Sequence, residues 1–237
     1  MSERFYVQPT DQPTIEIADS EARHIGRVMR VGPGDSITLF DGKGKESSAT
    51  IIEVQKNLVT VQADNWVQRS RVPTQKVTII TALPKGDRLK FMIEKLTEIG
   101  ADRLVPLVTA RSNVRPKDNT IAKLQRYVIE ACKQCGRNHL MKITEASNFQ
   151  EALTLPSDQC QKLICDPHGG IQYSPTTEPD AQMCFLIGPE GGFTSEEIGL
   201  AQDANWEPIQ LGGTILRIET AAMVACLAGC GIFTSKG

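Results

Sequence analysis

The residues best suited to bind a ligand lie in two glycine-rich segments near the end of the chain. Residues 188–192 (GPEGG) follow an apolar run and precede a predicted helix, and residues 211–214 (LGGT) follow another apolar run. Glycine lets the backbone approach a ligand closely, and ligands of open α/β sheets bind beyond the carboxyl ends of the strands. A tight turn alone needs fewer such residues, so the first segment in particular predicts a ligand loop.

The absence of two phosphate-binding motifs limits the kinds of ligand that these segments are expected to bind. The phosphate-binding pattern GxxxxGK[ST] is absent, and no GxGxxG pattern follows the first strand of the α/β region, where residues 83–87 read LPKGD. Both patterns exist to cradle phosphates with backbone N–H groups. A ligand with an adenine but without phosphates therefore fits these loops better than a di- or triphosphate.

Charged residues accompany both glycine-rich segments. Glu190 lies within the first, and Arg217 and Glu219 follow the second at the predicted start of the last helix. A cation among apolar neighbours is expected to be paired or to face a ligand. A glutamate at a helix start also has an ordinary structural role, because it interacts favourably with the helix dipole. For Glu219 both interpretations stay open.

A second notable group lies on a helix predicted over residues 19–31. Its apolar stripe comprises Ile25, Val28 and Met29, and its opposite side carries Arg23, His24, Arg27 and Arg30. Arginines in register repel one another unless an anion neutralises them, and the guanidinium group matches phosphate well. The arginines predict contact with a phosphate backbone, with a solvated surface as the alternative.

The elements that must position these residues fall into two regions. Short β-branched strands over residues 36–40, 48–54 and 58–63 are typical of a small barrel. Residues 65–76 are polar and are predicted to form a linker. From residue 77 onward strands and helices alternate, which predicts a parallel sheet covered on both faces.

In that second region the pattern is regular enough to place each element. Strands are predicted at 77–83, 104–108, 162–165, 183–187 and 208–211, and helices at 87–99, 120–135, 195–204 and 219–233. Gly100 and Gly136 suit helix C-caps, and Thr194 with Glu197 fits a capping box.

Composition excludes several classes of protein. The 237 residues (26.0 kDa) are 40% hydrophobic and 23% charged, which fits one or two globular domains and excludes a disordered, fibrous or disulfide-rich chain. No apolar run reaches the ~18–20 residues that span a bilayer, and we expect no signal peptide. Seven cysteines at irregular spacing predict reduced thiols and a cytoplasmic location. Cys132 and Cys135 are spaced like zinc ligands but lie in a predicted helix without a second pair, so we predict no metal site.

Charge is segregated along the chain although its net value is only −2. Residues 77–145 carry 13 basic and 7 acidic residues, whereas residues 146–237 carry 3 basic and 11 acidic residues. This distribution suggests that part of the surface contacts a polyanion, but charge alone slightly favours the alternative, chance segregation of solvated charge.

Several segments together resemble the RsmE family of ribosomal RNA methyltransferases. Residues 188–192 and 211–221 (LGGTILRIETA) resemble two of its motifs. Residues 23–35, 94–100 (EKLTEIG) and 130–137 (EACKQCGR) resemble three more, in the family's order along the chain. One departure is Thr214, where the family usually has an arginine.

The resemblance implies an α/β fold of SPOUT type, with a C-terminal trefoil knot and a mostly parallel sheet, over residues 73–237. A small PUA-like β-barrel domain that binds RNA is implied over residues 1–72. The resemblance also implies a homodimer that forms through the knotted domain, with the last helix of each chain at the interface. The apolar run from Ala221 to Phe233 suits burial in a dimer or within the monomer.

The resemblance further implies a methyltransferase that uses S-adenosylmethionine (SAM) to modify N3 of a uridine in 16S ribosomal RNA of the small subunit. The implied cofactor contacts are Leu83, Leu186, Ile187, Gly188, Pro189, Gly191, Gly192, Leu211, Gly212, Ile215 and Leu216. The implied RNA contacts are Arg4, Arg23, His24, Arg27, Arg30, Lys85 and Arg137. Neither a metal nor a membrane is implied.

The chemistry of uracil suggests roles for the charged residues. Its N3 proton is weakly acidic, close to tyrosine at ~10, so a base must remove it or a cation must stabilise the anion. Our hypothesis is that Arg217 stabilises the uracil anion and that Glu219 or Glu190 accepts the proton. The alternatives are an RNA-binding or ribosome-assembly factor with this fold and a SPOUT methyltransferase acting on another RNA. A nucleotide-dependent oxidoreductase is disfavoured by the missing phosphate motifs.

Overall fold

The computed structural model describes residues 3–8, 10, 12–23, 25, 31–69, 71–116, 119–169, 171–173 and 180–231. The chain forms two compact units. The first unit contains Met1–Val72 and Cys132–Leu140, and the second contains Pro73–Ala131 and Met141–Gly237. The short segment 132–140 thus joins the first unit, which the sequence did not predict.

The first unit is built on a six-stranded sheet. Its elements are β1 (Arg4–Tyr6), β2 (Thr14–Ala18), α1 (Asp19–Arg23), β3 (Ser36–Phe40), β4 (Lys45–Val54), β5 (Leu58–Ala63) and β6 (Val67–Gln68). The strand order is β1-β3-β4-β5-β2, with β6 beside β4, and every pair is antiparallel except β1 with β3. Alternate residues of these strands meet in one apolar core that includes Phe5, Leu39 and Val61. The sequence predicted this alternation because β-branched residues suit a half-buried strand.

The remaining elements of the chain alternate between strand and helix. They are β7 (Lys76–Thr81), α2 (Asp87–Ile99), β8 (Arg103–Val108), α3 (Thr120–Cys135), β9 (Lys142–Ile143), β10 (Ser147–Asn148), α4 (Phe149–Thr154), β11 (Gln161–Cys165), β12 (Ile171–Gln172), β13 (Gln182–Ile187), α5 (Ser195–Asp203), β14 (Glu207–Gln210) and α6 (Ile218–Gly229). Gly100 is the C-cap of α2, and Thr194 and Glu197 form the capping box of α5, both as predicted.

All strand pairs of the second sheet are parallel, with the order β10-β8-β7-β13-β11-β14-β12 and β9 beside β8. Parallel strands end at the same edge, so the segments that follow β7, β8, β11, β13 and β14 lie along one edge of this sheet. Helix α6 packs on α2, β7 and β13. A Cβ on Gly229 would lie 2.8 Å from the Phe185 ring and 2.9 Å from Val77, so glycine permits this close packing.

Two predictions about elements need correction, and a third lies partly outside the described residues. The predicted linker 65–76 contains β6, because residues 67–68 pair with the start of β4. The first helix is described over Asp19–Arg23, where the prediction starts it, and residues 24 and 26–30 of the predicted helix 19–31 lie outside the described part of the chain. The last helix ends at Gly229, and residues 232–237 also lie outside it. No helix within the described ranges is long and apolar enough to span a membrane.

Candidate functional site

A cleft opens at the carboxyl edge of the parallel sheet, between the segments that follow β11, β13 and β14. Its cavity volume is about 230 Å³, somewhat below the ~300–1,000 Å³ typical of ligand pockets, and it is open to solvent at its mouth. Three segments supply most of the lining, namely 165–168, 187–193 and 209–218, and Arg111 adds a cation from the segment after β8.

The structure brings most of the predicted cofactor residues together at this cleft. Nine of the eleven line it: Ile187, Gly188, Pro189, Gly191, Gly192, Leu211, Gly212, Ile215 and Leu216. Leu83 and Leu186 do not line it, and they expose 3% and 0% of their surface. Leu186 belongs instead to the apolar cluster around Trp206 on one face of the sheet.

The segment after β13 is held in place by its own contacts. The Gly192 N–H donates to the Pro189 carbonyl at 2.8 Å, and Gly192 has a φ of 66°, a conformation that favours glycine. A Cβ on Gly188 would lie 3.2 Å from the Phe193 ring and 3.3 Å from the Gly192 carbonyl carbon. Glycine is therefore required here by the fold of the segment itself.

Residues 109–112 after β8 clamp the same segment from outside. The Arg111 guanidinium donates to the Gly191 carbonyl at 2.7 Å and to the Phe193 carbonyl at 3.3 Å. The buried Glu197 carboxylate accepts from the N–H groups of Ala110 at 3.0 Å and of Thr194 at 2.9 Å. The cap of α5 is thereby linked to the neighbouring segment, which fixes the wall of the cleft.

The segment after β14 has few contacts of this kind. Cβ atoms on Gly212 and Gly213 would meet nothing within 4 Å, and Ile215 exposes 73% of its surface. Thr214 lines the cleft at the position where an arginine is usual in the resembled family. The open space beside both glycines leaves room for a ligand against the backbone.

The two predicted acids share a cation that the sequence analysis missed. Arg88, in the first turn of α2, lies 3.5 Å from a Glu190 oxygen and 3.7 Å from a Glu219 oxygen. Glu219 is 7% exposed, and its Oε2, the oxygen that lies 3.7 Å from Arg88, accepts no hydrogen bond. Glu190 lines the cleft and its side chain is 43% exposed. Glu190 is thus the accessible acid, and Glu219 is the buried one.

Arg217 is the N-cap residue of α6, and its side chain is exposed. It does not line the cleft, and no described carboxylate lies within ion-pair distance of it. Of the two expectations for Arg217, pairing within the protein or an approach to a ligand, the exposed position is compatible with the second. A free, exposed guanidinium remains available to a large ligand that covers the mouth of the cleft.

The third wall of the cleft follows β11 and was not predicted. The Asp166 carboxylate accepts from the His168 N–H at 3.0 Å, and the Asp166 N–H donates to the Ile209 carbonyl at 2.9 Å. Burial raises the pKa of the Cys165 thiol well above its usual range, so this cysteine presents a neutral thiol.

The predicted RNA contacts are scattered in the structure. Arg4 pairs with Glu46 at 3.2 Å, with 12% of its side chain exposed, and Arg137 is 5% exposed. Lys85 and Arg23 are exposed. His24, Arg27 and Arg30 lie outside the described residues. Burial leaves little of the Arg4 and Arg137 side chains accessible to a phosphate.

The zinc-like cysteine pair shows no metal site. Among the residues that the structure describes, no group of three or more His, Cys, Asp or Glu side chains could hold a metal ion. Cys132 is buried and Cys135 is exposed, and burial raises the pKa of the Cys132 thiol to about 12. Such a thiol does not readily give the thiolate that binds zinc.

Arg88, Arg111 and Asp166 share a signal that could have revealed them. Each is a charged residue in the segment that directly follows a strand of the parallel sheet, or in the first turn of the helix after it. In a parallel sheet those segments meet at one edge. The sequence could not show which residues these three contact, because those contacts depend on the order of the strands in the sheet.

Comparisons with known proteins agree with this fold. A family model described as an RNA methyltransferase domain matches residues 70–228, and one described as an RNA methyltransferase PUA domain matches residues 17–64. The α/β fold preceded by a PUA domain, predicted from the sequence, is therefore confirmed. The chain is of the class of RNA methyltransferases that carry an N-terminal PUA domain.

Individual relatives define the family. The ribosomal RNA small subunit methyltransferase E of Bacillus subtilis is 29% identical over 243 residues, covering 95% of each chain. The structure of that enzyme from Neisseria gonorrhoeae, bound to S-adenosyl methionine, is 31% identical with a TM-score of 0.89 and covers 96% of each chain. A putative methyltransferase from Legionella pneumophila, in complex with SAM, is also 31% identical, with a TM-score of 0.88 and 98% of each chain covered. The present chain belongs to the ribosomal RNA small subunit methyltransferase E family, as its motifs predicted.

Proposed function

We propose that this protein transfers the methyl group of SAM to N3 of a uridine in the 16S ribosomal RNA of the small subunit. The observation that supports it best is the cleft, where both glycine-rich motifs of the family meet at the carboxyl edge of the sheet. The names of the relatives support the RNA substrate, and the bound SAM in two of their structures supports the cofactor.

The residues of the cleft fit SAM. Its walls offer apolar side chains such as Ile187 and Leu216 for an adenine, and the open faces of Gly212 and Gly213 give the ligand access to backbone groups. No phosphate-binding motif is present, and SAM has no phosphate. When bound, SAM supplies an electrophilic methyl group. We propose that Leu83 and Leu186 support these walls from behind instead of touching the cofactor.

We propose that the Glu190 carboxylate accepts the proton of uracil N3. This carboxylate lines the cleft, and Arg88 holds it from the opposite side. Glu219 is buried beneath it and stabilises Arg88, which makes Glu219 a positioning residue. Arg217, at the start of α6, is exposed and stabilises the negative charge that develops on the uracil oxygens.

The first unit, with boundaries near residues 1–72, would hold the RNA, and residues 73–237 would form the knotted methyltransferase domain. We also propose a homodimer through α6. One side of this helix is buried in the second unit, but Met223, Val224 and Leu227 are only half-buried in the single chain. A second copy would cover them. The seven free cysteines support a cytoplasmic location.

The test is methyl transfer from labelled SAM to unmodified small ribosomal subunits, followed by nucleoside mass spectrometry. We expect one N3-methyluridine per subunit. SAM binding without any methyl transfer would favour the RNA-binding or ribosome-assembly factor. Methylation of transfer RNA or large-subunit RNA in competition would show that the enzyme acts on another RNA.

A further inference from the structure

Three arginines of the first unit converge on one buried carboxylate. Glu46, with 10% of its side chain exposed, lies 3.2 Å from Arg4, 3.0 Å from Arg69 and 3.1 Å from Arg71. Within the described part of the chain, no other carboxylate lies within ion-pair distance of these three guanidiniums. The cluster therefore carries three positive charges against one negative charge.

The three arginines differ in their access to solvent. Arg4 is 12% exposed and lies over the Phe40 ring, 5.3 Å from its centre, with two guanidinium nitrogens buried and without a hydrogen bond. Arg69 and Arg71 expose 60% and 41% of their side chains. The excess charge thus reaches the surface through Arg69 and Arg71 only.

The backbone of Arg69 is fixed at both of its polar groups. Its N–H donates to the Gly44 carbonyl at 2.9 Å, and its carbonyl accepts from the Asn138 side-chain amide. The preceding residues 67–68 form β6 against β4, so Glu46 and Arg69 are held on neighbouring strands. Burial alone would raise the pKa of Glu46, but hydrogen bonds from Arg71 and Arg4 lower it below its usual value. Glu46 therefore stays charged and holds the arginines in a preformed arrangement.

We propose that Arg69 and Arg71 form a binding site for the phosphate backbone of RNA on the first unit. An ordinary surface ion pair needs one cation for each carboxylate. With three guanidiniums around Glu46, two positive charges of the cluster remain uncompensated and can bind an external anion. Guanidinium groups bind phosphate oxygens in a bidentate manner. The site rests on the proposed function for the identity of the RNA, but it adds residues that the family resemblance did not imply.

The test is the binding of unmodified small-subunit ribosomal RNA by R69A/R71A over a series of salt concentrations. Each phosphate contact contributes about 0.7 to the slope of log K against log salt for single strands, so the slope should fall by about 1.4. That change corresponds to affinity weaker by roughly 25-fold at 0.1 M salt. The matched control is K56A/K142A, which removes the same charge from two exposed lysines away from Glu46.

Three further measurements keep the outcomes distinct. R69K/R71K keeps the charge, so it should retain most of the salt slope. Circular dichroism should show folded variants, and calorimetry should show SAM affinity equal to that of the wild type. If R69A/R71A loses no more slope than K56A/K142A, or if R69K/R71K loses as much as the alanine variant, the site is refuted. If the wild-type protein itself fails to bind this RNA, the proposed function fails instead.

Discussion

The two glycine-rich segments look alike in the sequence but differ in the structure. Residues 188–193 are fixed by an internal turn at Gly192, by the Arg111 clamp and by the cap of α5. Residues 211–216 have open space beside Gly212 and Gly213 and an exposed Ile215. In the first segment glycine serves the fold of the protein, whereas in the second it leaves space that a ligand can fill.

This difference suggests that the two walls of the cleft have different roles. A preformed wall can hold a reacting group at a fixed position, and Glu190 lies in that wall. An open wall can close over a ligand and contribute affinity when it does so. We therefore expect substitutions in the first segment to affect stability and chemistry, with a loss of SAM affinity only where the wall itself moves, and those in the second to affect SAM affinity without loss of stability.

The largest effect is expected for E190Q. Glutamine keeps the size of the side chain but cannot accept the N3 proton, and general acid–base groups contribute about 10²–10⁴-fold. We expect kcat to fall by at least ~100-fold in single-turnover methylation, with SAM affinity close to that of the wild type. The control is E196Q, an exposed glutamate in the first turn of α5 outside the cleft. Equal kcat for E190Q and the wild type would show that Glu190 is not the base.

The sequence predicted those features of the site that depend on local rules. The glycine-rich segments, the capping box at Thr194 and the strands before them follow from short-range patterns, and the structure has them. The Arg88 bridge and the Arg111 clamp join residues about 80 to 130 positions apart. They depend on the order of strands in the sheet, which local patterns do not determine.

Errors about individual side chains have a different cause. Arg4 was predicted to touch RNA, yet it pairs with Glu46 and lies over the Phe40 ring, with only 12% of its side chain exposed. Leu186 was predicted to touch the cofactor, yet its neighbour Ile187 lines the cleft while Leu186 packs in the core. Adjacent strand residues face opposite sides, so a shift of one position changes the role completely.

A matched pair of alanine substitutions tests the contrast between the two segments directly. In G192A the new residue must adopt a φ of 66°, which costs about 1–2 kcal/mol. We expect a lower melting temperature and SAM affinity weaker by about 5- to 30-fold if the strain is relieved by moving the wall. In G212A the added Cβ meets no protein atom, so the melting temperature should not change while SAM affinity falls. Loss of stability in G212A, or none in G192A, would contradict the contrast.

A smaller effect is expected when the clamp is removed. R111A deletes the hydrogen bonds to the Gly191 and Phe193 carbonyls, each worth about 1 kcal/mol at most for an exposed donor. SAM affinity measured by calorimetry should fall by about 5-fold. R115A, which removes a nearby exposed arginine, serves as the control. R111K should restore part of the affinity, because lysine can still donate to one carbonyl. An R111A protein with wild-type affinity would mean that the wall holds without the clamp.

The smallest but most direct signal is the hydrogen exchange of the backbone when SAM is added. The backbone of residues 188–193 is held by the Gly192 N–H bond to the Pro189 carbonyl and by the Arg111 contacts to the Gly191 and Phe193 carbonyls, so its local opening is already restricted and its exchange should change little. Residues 211–216 have few such bonds and should exchange several-fold more slowly once a ligand occupies the space beside Gly212 and Gly213. Mass spectrometry of peptides covering each segment would measure both in one experiment. Equal protection of the two segments would mean that SAM also orders the first segment, which would contradict the proposed difference between the two walls.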